Sequence, residues 1–508
     1  MARPRPVGRH RPRVAAVVRA AARSGVPPRA RPPTRARGRA LPRREPRRGA
    51  APRRAGGRTR RGAADPRVPP RHGRAHPARA PVPRRRVLVR APVSPHGAVS
   101  TRTKVAVRAG ALTGALSRLT GRGAGATISG RVINEIAPHA LDELAIGLRV
   151  ALVSATNGKT TTTKLLAAAV RTLGEPVATN HTGANLTSGI APVLAAARKP
   201  GLAVIEADER ALAKVVEPLA PELLVLGNLS RDQLDRYGEV HAVGAAWRRI
   251  AEAHPDLHVV ANASDPHVVH AADPARTTWV ALGLPWRSDA ATCPVCARLL
   301  DWGADRFHCP GCGFAQPETP NRLDGDTLVL DGTRVTLDLA LPGRWNRDNA
   351  ALAITAAVSH YGIDPQVAAD AAAAVDTVAG RYMRVPLADG RRARVLLAKN
   401  PAGWSEVLQW VHDTGRSVVI AVNARAADGK DPSWLWDVPY ELLRGLPTAA
   451  AGERCLDVAV RLRYADVEHI VEADARRAAP RLPGDEPVLI CSYTQFSALY
   501  RKYGDPRA

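Results

Sequence analysis

The clearest pattern of apolar and polar positions is an apolar run, a polar loop and a second apolar stretch with helical character. Residues 150–153 are apolar, residues 154–161 read Ser-Ala-Thr-Asn-Gly-Lys-Thr-Thr, and residues 164–170 are again mostly Leu, Ala and Val. This order predicts a strand, a tight loop and a helix. Further apolar runs at 203–205, 223–226 and 257–261 are separated by helical stretches. Strands that alternate with helices indicate an α/β fold with a parallel sheet.

The loop before the first long helix has the chemistry of a phosphate-binding loop. Backbone N–H groups and the helix dipole attract an anion at such a position. A lysine there reaches the outer phosphates, and the following threonine hydroxyl can bind Mg²⁺. We predict that ATP or a related nucleotide is bound by Thr156, Asn157, Gly158, Lys159, Thr160 and Thr161. Val153 stands where the standard loop has its first glycine, so an ordinary strand–helix turn with a solvated lysine stays an alternative.

Polar side chains follow the predicted strands at the points where the strands end. They are Glu206, Asn228 and Asp232. The carboxyl ends of parallel strands meet at one edge of a sheet, where ligands collect. Because Mg²⁺ prefers oxygen ligands, a carboxylate at this edge, beside Thr160 of the phosphate loop, is suited to bind it. Each of the three residues taken singly could instead be a helix cap or a solvated loop residue.

Four cysteines form two closely spaced pairs. Cys293 and Cys296 are separated by two residues, as are Cys309 and Cys312, and twelve residues lie between the pairs. Four thiolates at this spacing are typical of a closed, structural zinc site. We therefore predict a zinc ribbon inserted at about 290–320, and we assign it no catalytic chemistry. The alternative, two disulfides, is typical of secreted proteins.

Positive charge is concentrated in the N-terminal part of the chain. The 508 residues have a net charge of +28, which taken alone favours nucleic-acid binding. Residues 1–100 contain 29 arginines, no lysine and two acids, so residues 101–508 share a net charge of +1. We therefore expect no nucleic-acid partner for this body.

The first hundred residues also contain 18 prolines and no Phe, Trp or Tyr, so we expect a disordered tail. Two interpretations stay open: an RNA- or membrane-binding arm, or a mis-assigned start with translation beginning at a codon near Val99, Val105 or Val107. We favour the second, because the composition becomes globular near Arg102. Neither a signal peptide nor a run of about 20 apolar residues is found. We expect a cytoplasmic protein without a transmembrane segment.

In combination these motifs resemble those of the ATP-dependent Mur ligase family. Besides the loop and Glu206, the similarity includes an Asn-x-x-x-Asp-x-Leu-Asp segment at 228–235 and Asn-x-x-Asp-Pro at 262–266. It also includes Gly-x-x-Asn-x-x-Asn at 343–349, where the resemblance places Asn346 and Asn349 near the adenine, and Gly380 followed by Arg381. The four cysteines, Gln233 and the stretches 399–404 and 423–437 are similar to the branch of the family that amidates lipid II.

The resemblance implies three parts: a tail at 1–100, a central ATP-binding domain at 101–378 that carries the ribbon, and a C-terminal α/β domain at 379–508. It implies that Mg²⁺ is held by Thr160 and Glu206. It also implies that ATP, with this Mg²⁺, phosphorylates the α-carboxylate of D-glutamate in lipid II, and that ammonia then forms D-isoglutamine. A GatD-like glutaminase subunit would supply the ammonia. The resemblance further implies that an aspartate of this chain completes the catalytic triad of the glutaminase. We select Asp431, with Asp428 and Asp437 as competitors and a helix cap before Trp434 as the structural alternative.

Three other functions stay open. The first is a stand-alone amino-acid ligase similar to folylpolyglutamate synthase, which would work without a partner. The second is a nucleic-acid-binding NTPase with a zinc ribbon, and the nearly neutral body argues against it. The third is a scaffold with a degenerate ATP site, which loss of function on replacing Lys159 would exclude.

Overall fold

The computed structural model describes residues 99–119, 125–180, 185–232, 240–303, 306–376 and 381–504. These residues belong to one compact unit, Val89–Ala508. The tail predicted at 1–100 lies outside the described residues except for Val99 and Ser100. The same is true of Gly380 and of the 233–235 part of the Asn-x-x-x-Asp-x-Leu-Asp segment.

A six-stranded parallel sheet forms the centre of the first half. Its strands are β1 (Leu148–Ser154), β2 (Val177–Thr179), β3 (Gly201–Glu206), β4 (Leu223–Leu226), β5 (His258–Asn262) and β6 (Arg276–Val280). They are arranged in the order β2-β3-β1-β4-β5-β6. The apolar runs predicted as strands lie in β1, β3, β4 and β5, and both faces of these strands are buried because helices cover both sides.

Helices surround this sheet. They are α1 (Thr101–Leu119), α2 (Ala126–Ile136), α3 (Ala140–Ala145), α4 (Lys159–Arg171), α5 (Thr187–Ala196), α6 (Leu212–Leu219), α7 (Val240–Ala253), α8 (Pro266–Ala272), α9 (Arg344–Tyr361) and α10 (Pro365–Ala373). One face of the sheet packs against α2, α3, α5, α6, α7 and α8. The other face packs against α4, α9 and α10.

Between β6 and α9 the chain forms two small antiparallel sheets. The first contains β7 (Asp301–Trp302) and β8 (Phe307–His308) and carries the four cysteines. The second contains β9 (Arg322–Asp324), β10 (Thr327–Leu330) and β11 (Thr333–Thr336).

The last part of the chain is a second α/β layer structure. Its strands are β12 (Tyr382–Pro386), β13 (Arg392–Leu397), β14 (Val418–Ala421), β15 (Thr448–Ala451), β16 (His469–Val471) and β17 (Val488–Cys491). Its helices are α11 (Pro401–Thr414), α12 (Cys455–Tyr464), α13 (Ala475–Ala478) and α14 (Tyr493–Tyr503). The sheet order is β12-β13-β17-β14-β15-β16, and only β12 runs antiparallel to its neighbour.

One apolar core joins the two α/β parts. It includes Leu165 and Val225 of the central sheet layer and Trp404, Leu408 and Val418 of the C-terminal layer. The predicted fold class, a central parallel sheet with a four-cysteine insertion and a C-terminal α/β domain, is confirmed. The domain boundaries at 100 and 378 stay predictions, since residues 1–98 and 377–380 lie outside the described ranges.

Candidate functional site: a nucleotide cleft and a four-cysteine cluster

The phosphate loop connects the end of β1 to the start of α4, as the sequence predicts. Gly158 has φ +88°, a left-handed conformation that other residues rarely adopt. A Cβ atom at this position would lie 2.1 Å from Oδ1 of Asn349, so the close approach of α9 also requires glycine. Thr162 donates a hydrogen bond to the same Asn349 oxygen at 3.3 Å. The start of α9 therefore touches the phosphate loop directly.

Lys159 is almost completely buried, with 3% of its side chain exposed. Its Nζ donates to the backbone oxygens of Ala155 and Thr156 and to Oε2 of Glu209 at 2.8 Å. Burial by itself would lower the pKa of Lys159, but the carboxylates of Glu209, Glu206 and Asp232 together raise it. The ammonium is therefore charged and held toward the loop, where an anionic ligand would meet it.

Thr160 and Glu206 are in direct contact. The Thr160 hydroxyl donates to Oε2 of Glu206 at 2.8 Å, and Nδ2 of Asn185 donates to Oε1 at 2.9 Å. Glu206 is 1% exposed and ends β3 beside β1. A hydroxyl and a carboxylate oxygen side by side fit Mg²⁺, which prefers such hard ligands and takes the rest from water and phosphate.

Asn157 and Asn228 lock the loop to the end of β4. The backbone N–H of Asn157 donates to Oδ1 of Asn228 at 3.0 Å, and Nδ2 of Asn228 donates back to the Asn157 oxygen at 2.9 Å. Thr156 is held by Ser230, whose N–H donates to its hydroxyl. Because β4 pairs with β1, these two strand ends meet at one edge, as predicted for parallel strands.

The C-terminal layer contributes side chains that sequence reasoning did not select. Asn400 caps the N-terminus of α11, where its Oδ1 accepts from the N–H of Gly403. Its Nδ2 donates to Asn157 and Asp232 at 3.1 and 3.3 Å. Arg381 donates to the Thr160 hydroxyl at 3.2 Å. The only sequence signal for them was the family resemblance at 380–381 and 399–404, and nothing in those segments shows that they face a loop more than 200 residues away.

Lys399 completes a group of cations around the phosphate loop. Asp232 favours its charged form, but burial and the nearby charges of Arg381 and Lys159 outweigh it, so the pKa of Lys399 is lowered. An additional anion beside these three cations would relieve their mutual repulsion. The cluster is therefore suited to a ligand with several negative charges.

These residues line a cleft of roughly 1390 Å³, counted with its open mouth. Its lining includes the cations Lys159, Arg381 and Lys399. It also includes the apolar side chains of Leu282, Pro285, Trp286, Leu341 and Trp345 and the amides of Asn346 and Asn349. A cleft that combines cations, apolar side chains and a few amide groups is suited to a base attached to a polyphosphate. Nucleotide binding by the predicted residues, including Thr161, stays a prediction.

The four predicted cysteines come together in space. Their sulfur atoms all lie within 4.8 Å of one another, and among the described residues this is the group suited to a metal ion. The Sγ atoms of Cys293 and Cys312 are 3.6 Å apart, and those of Cys296 and Cys309 are 3.4 Å apart. A tetrahedral zinc site has sulfurs about 3.8 Å apart, given Zn–S bonds of about 2.3 Å. The sulfurs are not bonded as disulfides, so the cluster could hold a metal, with zinc as the prediction.

The three candidate aspartates for a partner's triad differ in their surroundings. Asp428 is buried and accepts hydrogen bonds from the N–H and hydroxyl of Thr494 at 2.7 and 2.6 Å. Asp437 lies 3.4 Å from a guanidinium nitrogen of Arg231. Asp431 is exposed and accepts from the N–H of Ser433 at 2.8 Å, next to the short 3₁₀ helix Ser433–Trp436. This bond agrees with the capping alternative but leaves Asp431 accessible.

Comparisons with known proteins agree with this architecture. The Mur ligase middle domain family matches residues 153–292, and the MurT ligase C-terminal family matches residues 397–496. Among solved structures, a pseudomurein peptide ligase type C from Methanothermus fervidus aligns with a TM-score of 0.56 at 16% identity, covering 73% of this chain and 83% of the other. MurF from Acinetobacter baumannii aligns with a TM-score of 0.53 at 15% identity, covering 73% and 80%.

The curated relatives agree as well. The lipid II isoglutaminyl synthase (glutamine-hydrolyzing) subunit MurT of Streptococcus pneumoniae is 28% identical over 379 residues, which are 68% of this chain and 83% of the relative. The same subunit of Staphylococcus aureus is 29% identical over 396 residues, which are 72% and 89%. The chain is therefore similar to the Mur ligase family in its middle part and to the MurT ligase C-terminal family in the part that follows. The particular proteins that it resembles over most of its length are MurT subunits.

Among the described residues, no helix combines the length and the apolar character needed to cross a bilayer.

Proposed function

We propose that this chain is the synthetase subunit of a two-subunit, glutamine-dependent ligase that amidates peptidoglycan precursors. In this proposal it uses ATP to activate the α-carboxylate of D-glutamate in lipid II, and a GatD-like glutaminase supplies the ammonia. The observation that carries the proposal is the cleft, where a phosphate loop of the Mur type faces Arg381, Lys399 and Asn400 from a C-terminal layer that matches the MurT family.

The first step is phosphoryl transfer. A carboxylate oxygen of the substrate forms a bond to the γ-phosphorus of ATP, and the bond from that phosphorus to the bridging oxygen breaks, which releases ADP. Two anions must approach, so positive charge around the phosphoryl group lowers the barrier. Lys159, Arg381 and Lys399 would supply that charge. Mg²⁺, held by Thr160 and Glu206, would add Lewis-acid screening of the phosphates.

The second step is amide formation. The nitrogen of ammonia attacks the carbonyl carbon of the acyl phosphate, the carbon–oxygen bond to phosphate breaks, and a proton leaves the nitrogen. The chain needs no nucleophile of its own for either step. The cations that surrounded the γ-phosphate would then stabilise the departing phosphate.

Ammonia release is assigned to the partner. A Cys–His glutaminase that lacks its third member needs an acid to orient the imidazole and fix its tautomer. Asp431 suits this role better than its competitors, because its carboxylate is exposed while Asp428 is buried under Thr494 and Asp437 faces Arg231.

The test is amidation of lipid II by the full chain with Mg²⁺-ATP, with either free ammonia or glutamine plus the glutaminase subunit. We expect product with ammonia from this chain alone, and product with glutamine only when the partner is present. Lys159→Ala should lower both rates at least about 100-fold, because the buried cation at the phosphates is lost. Ligation of an amino acid in place of ammonia would instead support the folylpolyglutamate-synthase-like alternative.

The aspartate assignment has its own test. Asp431→Asn should lose most glutamine-driven amidation, by about 100-fold or more, and keep the ammonia-driven rate. Asp437→Asn is the matched control, since it changes another exposed acid of the same segment and should affect neither rate strongly. Equal losses in both reactions, or an unaffected Asp431→Asn protein, would assign Asp431 to the capping role.

A further inference from the structure

Helix α1 carries its large apolar side chains on the outside. Val105, Leu112, Leu116 and Leu119 are 53%, 73%, 62% and 85% exposed. At 100° per residue they fall in one stripe about 60° wide along the helix. A helix on the surface of a water-soluble domain normally turns such a stripe toward the core.

The inward face of α1 is made of small residues instead. Thr103, Ala106, Gly110, Gly114 and Ser117 are buried, and the helix packs mainly on α2, with a smaller contact to α5. A Cβ atom at Gly110 would lie 2.7 Å from the backbone oxygen of Ser129 and from Cγ1 of Ile133. In lipid, where the hydrophobic effect does not drive helices together, helices pack closely through such small residues. The exposed leucines of α1 are therefore available to enter a separate apolar environment.

Charge indicates what that environment is. Residues 101–119 contain three arginines, one lysine and no acid. Lys104 and Arg108 are exposed, and at 100° per residue they lie about 60° and about 20° outside one edge of the leucine stripe. Leucines flanked by basic residues are typical of helices that lie in the surface of an anionic bilayer. The Arg-rich first hundred residues are themselves strongly positive, so charge complementarity does not favour them as the cover of this face.

The position of α1 in the fold is compatible with this role. The helix belongs to the sheet face covered by α2, α3 and α5, whereas the core shared with the C-terminal layer lies on the opposite face. Ile128 of α2 is also exposed, at 40%, and α2 is the helix that follows the leucine-rich end of α1 along the chain. A membrane could thus contact α1 while the C-terminal layer remains free for its partner.

We propose that α1 lies in the surface of an anionic lipid bilayer, with Leu112, Leu116 and Leu119 among the acyl chains and Lys104 and Arg108 at the headgroups. The helix does not span the bilayer. The biological purpose rests on the proposed function, since a ligase on the bilayer would meet a lipid-linked substrate there. The binding itself requires neither that substrate nor ATP.

The test measures binding of the full chain to vesicles of phosphatidylglycerol and phosphatidylcholine without lipid II or nucleotide. Flotation at about 0.5 M NaCl screens purely electrostatic attachment, including that of the Arg-rich segment. Leu112→Gln with Leu116→Gln is compared with Leu456→Gln and Val460→Gln on α12. Both pairs are exposed and four residues apart on a helix, and their exposed fractions are similar. Glutamine and leucine have similar helix propensity, so neither pair should lower the unfolding midpoint.

We expect the original chain and the α12 variant to bind alike, and the α1 variant to bind at least about tenfold more weakly, because two buried leucine side chains are lost from the apolar phase. Equal binding of all three chains would overturn the proposal, as would an absence of binding at high salt. A loss of binding accompanied by a lowered unfolding midpoint would be resolved with Leu119→Gln alone, which sits at the exposed end of the helix. Amidation is measured separately, so its failure would overturn the proposed function and leave the vesicle result intact.

Discussion

Among individual residues, Asp348 has an unusual environment in the nucleotide cleft. It follows Asn346 on the first turns of α9, and its Oδ1 is buried without a hydrogen-bond partner. Burial raises the pKa of Asp348 to about 7, with Glu406 adding to the shift while Arg344 and Arg347 oppose it. Because the folded pKa lies above the unfolded value, this carboxyl is least costly to folding below about pH 4. Its contribution becomes increasingly unfavourable as pH rises to about 7.

We therefore predict that Asp348→Asn raises the free energy of unfolding at pH 8 by about 2–4 kcal/mol, since the buried charge is removed while the shape is kept. The gain should shrink as pH falls from 7 to 4. Urea unfolding of the original chain and of Asp348→Asn at pH 8, 6 and 4.5 measures this gain in the free energy of unfolding. Asp370→Asn, an exposed acid on α10, is the control and should change little. A gain that does not vary with pH would show that the pKa of Asp348 is not the cause.

Several groups of residues in the candidate site could be predicted from the sequence. Thr156 to Thr161, Thr160 with Glu206, and the four cysteines were predicted because each group's chemistry is written in a short motif or in residues that end neighbouring strands. The partners Glu209 and Asn185 were not predicted, although Glu209 holds the buried ammonium of Lys159 and Asn185 holds Glu206. Their side chains reach the site through the local path of loops after β2 and β3, which no residue spacing encodes.

At the scale of elements, the ribbon around β7 and β8 depends on its cysteines more than on its strands. Each strand has two residues, and the local apolar cluster contains Val269 of α8, Leu300 and Phe307 together with Cys293 and Cys309. So small a core provides little stability by itself, and a metal that links both cysteine pairs would supply the rest.

We predict that Cys309→Ser lowers bound zinc from about one equivalent per chain to a small fraction. Amide hydrogen exchange should rise in the ribbon and spread to α8, while the central sheet stays protected. Cys455→Ser is the control, because Cys455 begins α12 and lies outside the cluster. Metal analysis and amide hydrogen exchange on the original chain and the two variants test this prediction. Full zinc retention in Cys309→Ser would contradict a site of four thiolates.

Helix α1 illustrates why the buried side of a helix is difficult to predict from the sequence. An amphipathic helix normally indicates its buried side by its large apolar residues, but here glycine and alanine mark the buried side. The close fit against α2 that selects them is a tertiary property. The sequence alone therefore gives no means of telling which stripe faces the protein.

Across the whole molecule, the cleft is built from both α/β parts, and this is the level at which sequence reasoning was least informative. The two halves meet through Arg381 on Thr160 and Asn400 on Asn157, contacts between residues that are 221 and 243 positions apart. A strand–loop–helix motif can be recognised locally because its geometry depends on neighbours in the chain. Docking of the second layer depends on the extended core that includes Trp404 and Leu408, and no motif records it.

A ligand that contacts both layers should stabilise them together. Binding to the folded state alone adds about 2.7 kcal/mol at a ligand concentration of 100 times Kd. We predict that Mg²⁺-bound ATP, or a non-hydrolysable analogue, raises the unfolding midpoint by a few degrees in a single transition. Arg381→Ala should lose most of this rise while leaving the midpoint without nucleotide nearly unchanged, because the guanidinium donates to the Thr160 hydroxyl in the cleft.

Arg384→Ala is the matched control for that measurement. It removes an arginine three residues further along, whose guanidinium pairs instead with Glu486, two residues before β17. Differential scanning fluorimetry of the three proteins over a range of nucleotide concentrations separates the outcomes. If Arg381→Ala keeps the full nucleotide-dependent rise, the C-terminal layer does not contact the phosphates. Two separate transitions, of which only the earlier or the later responds to nucleotide, would show that the layers respond independently despite their common core.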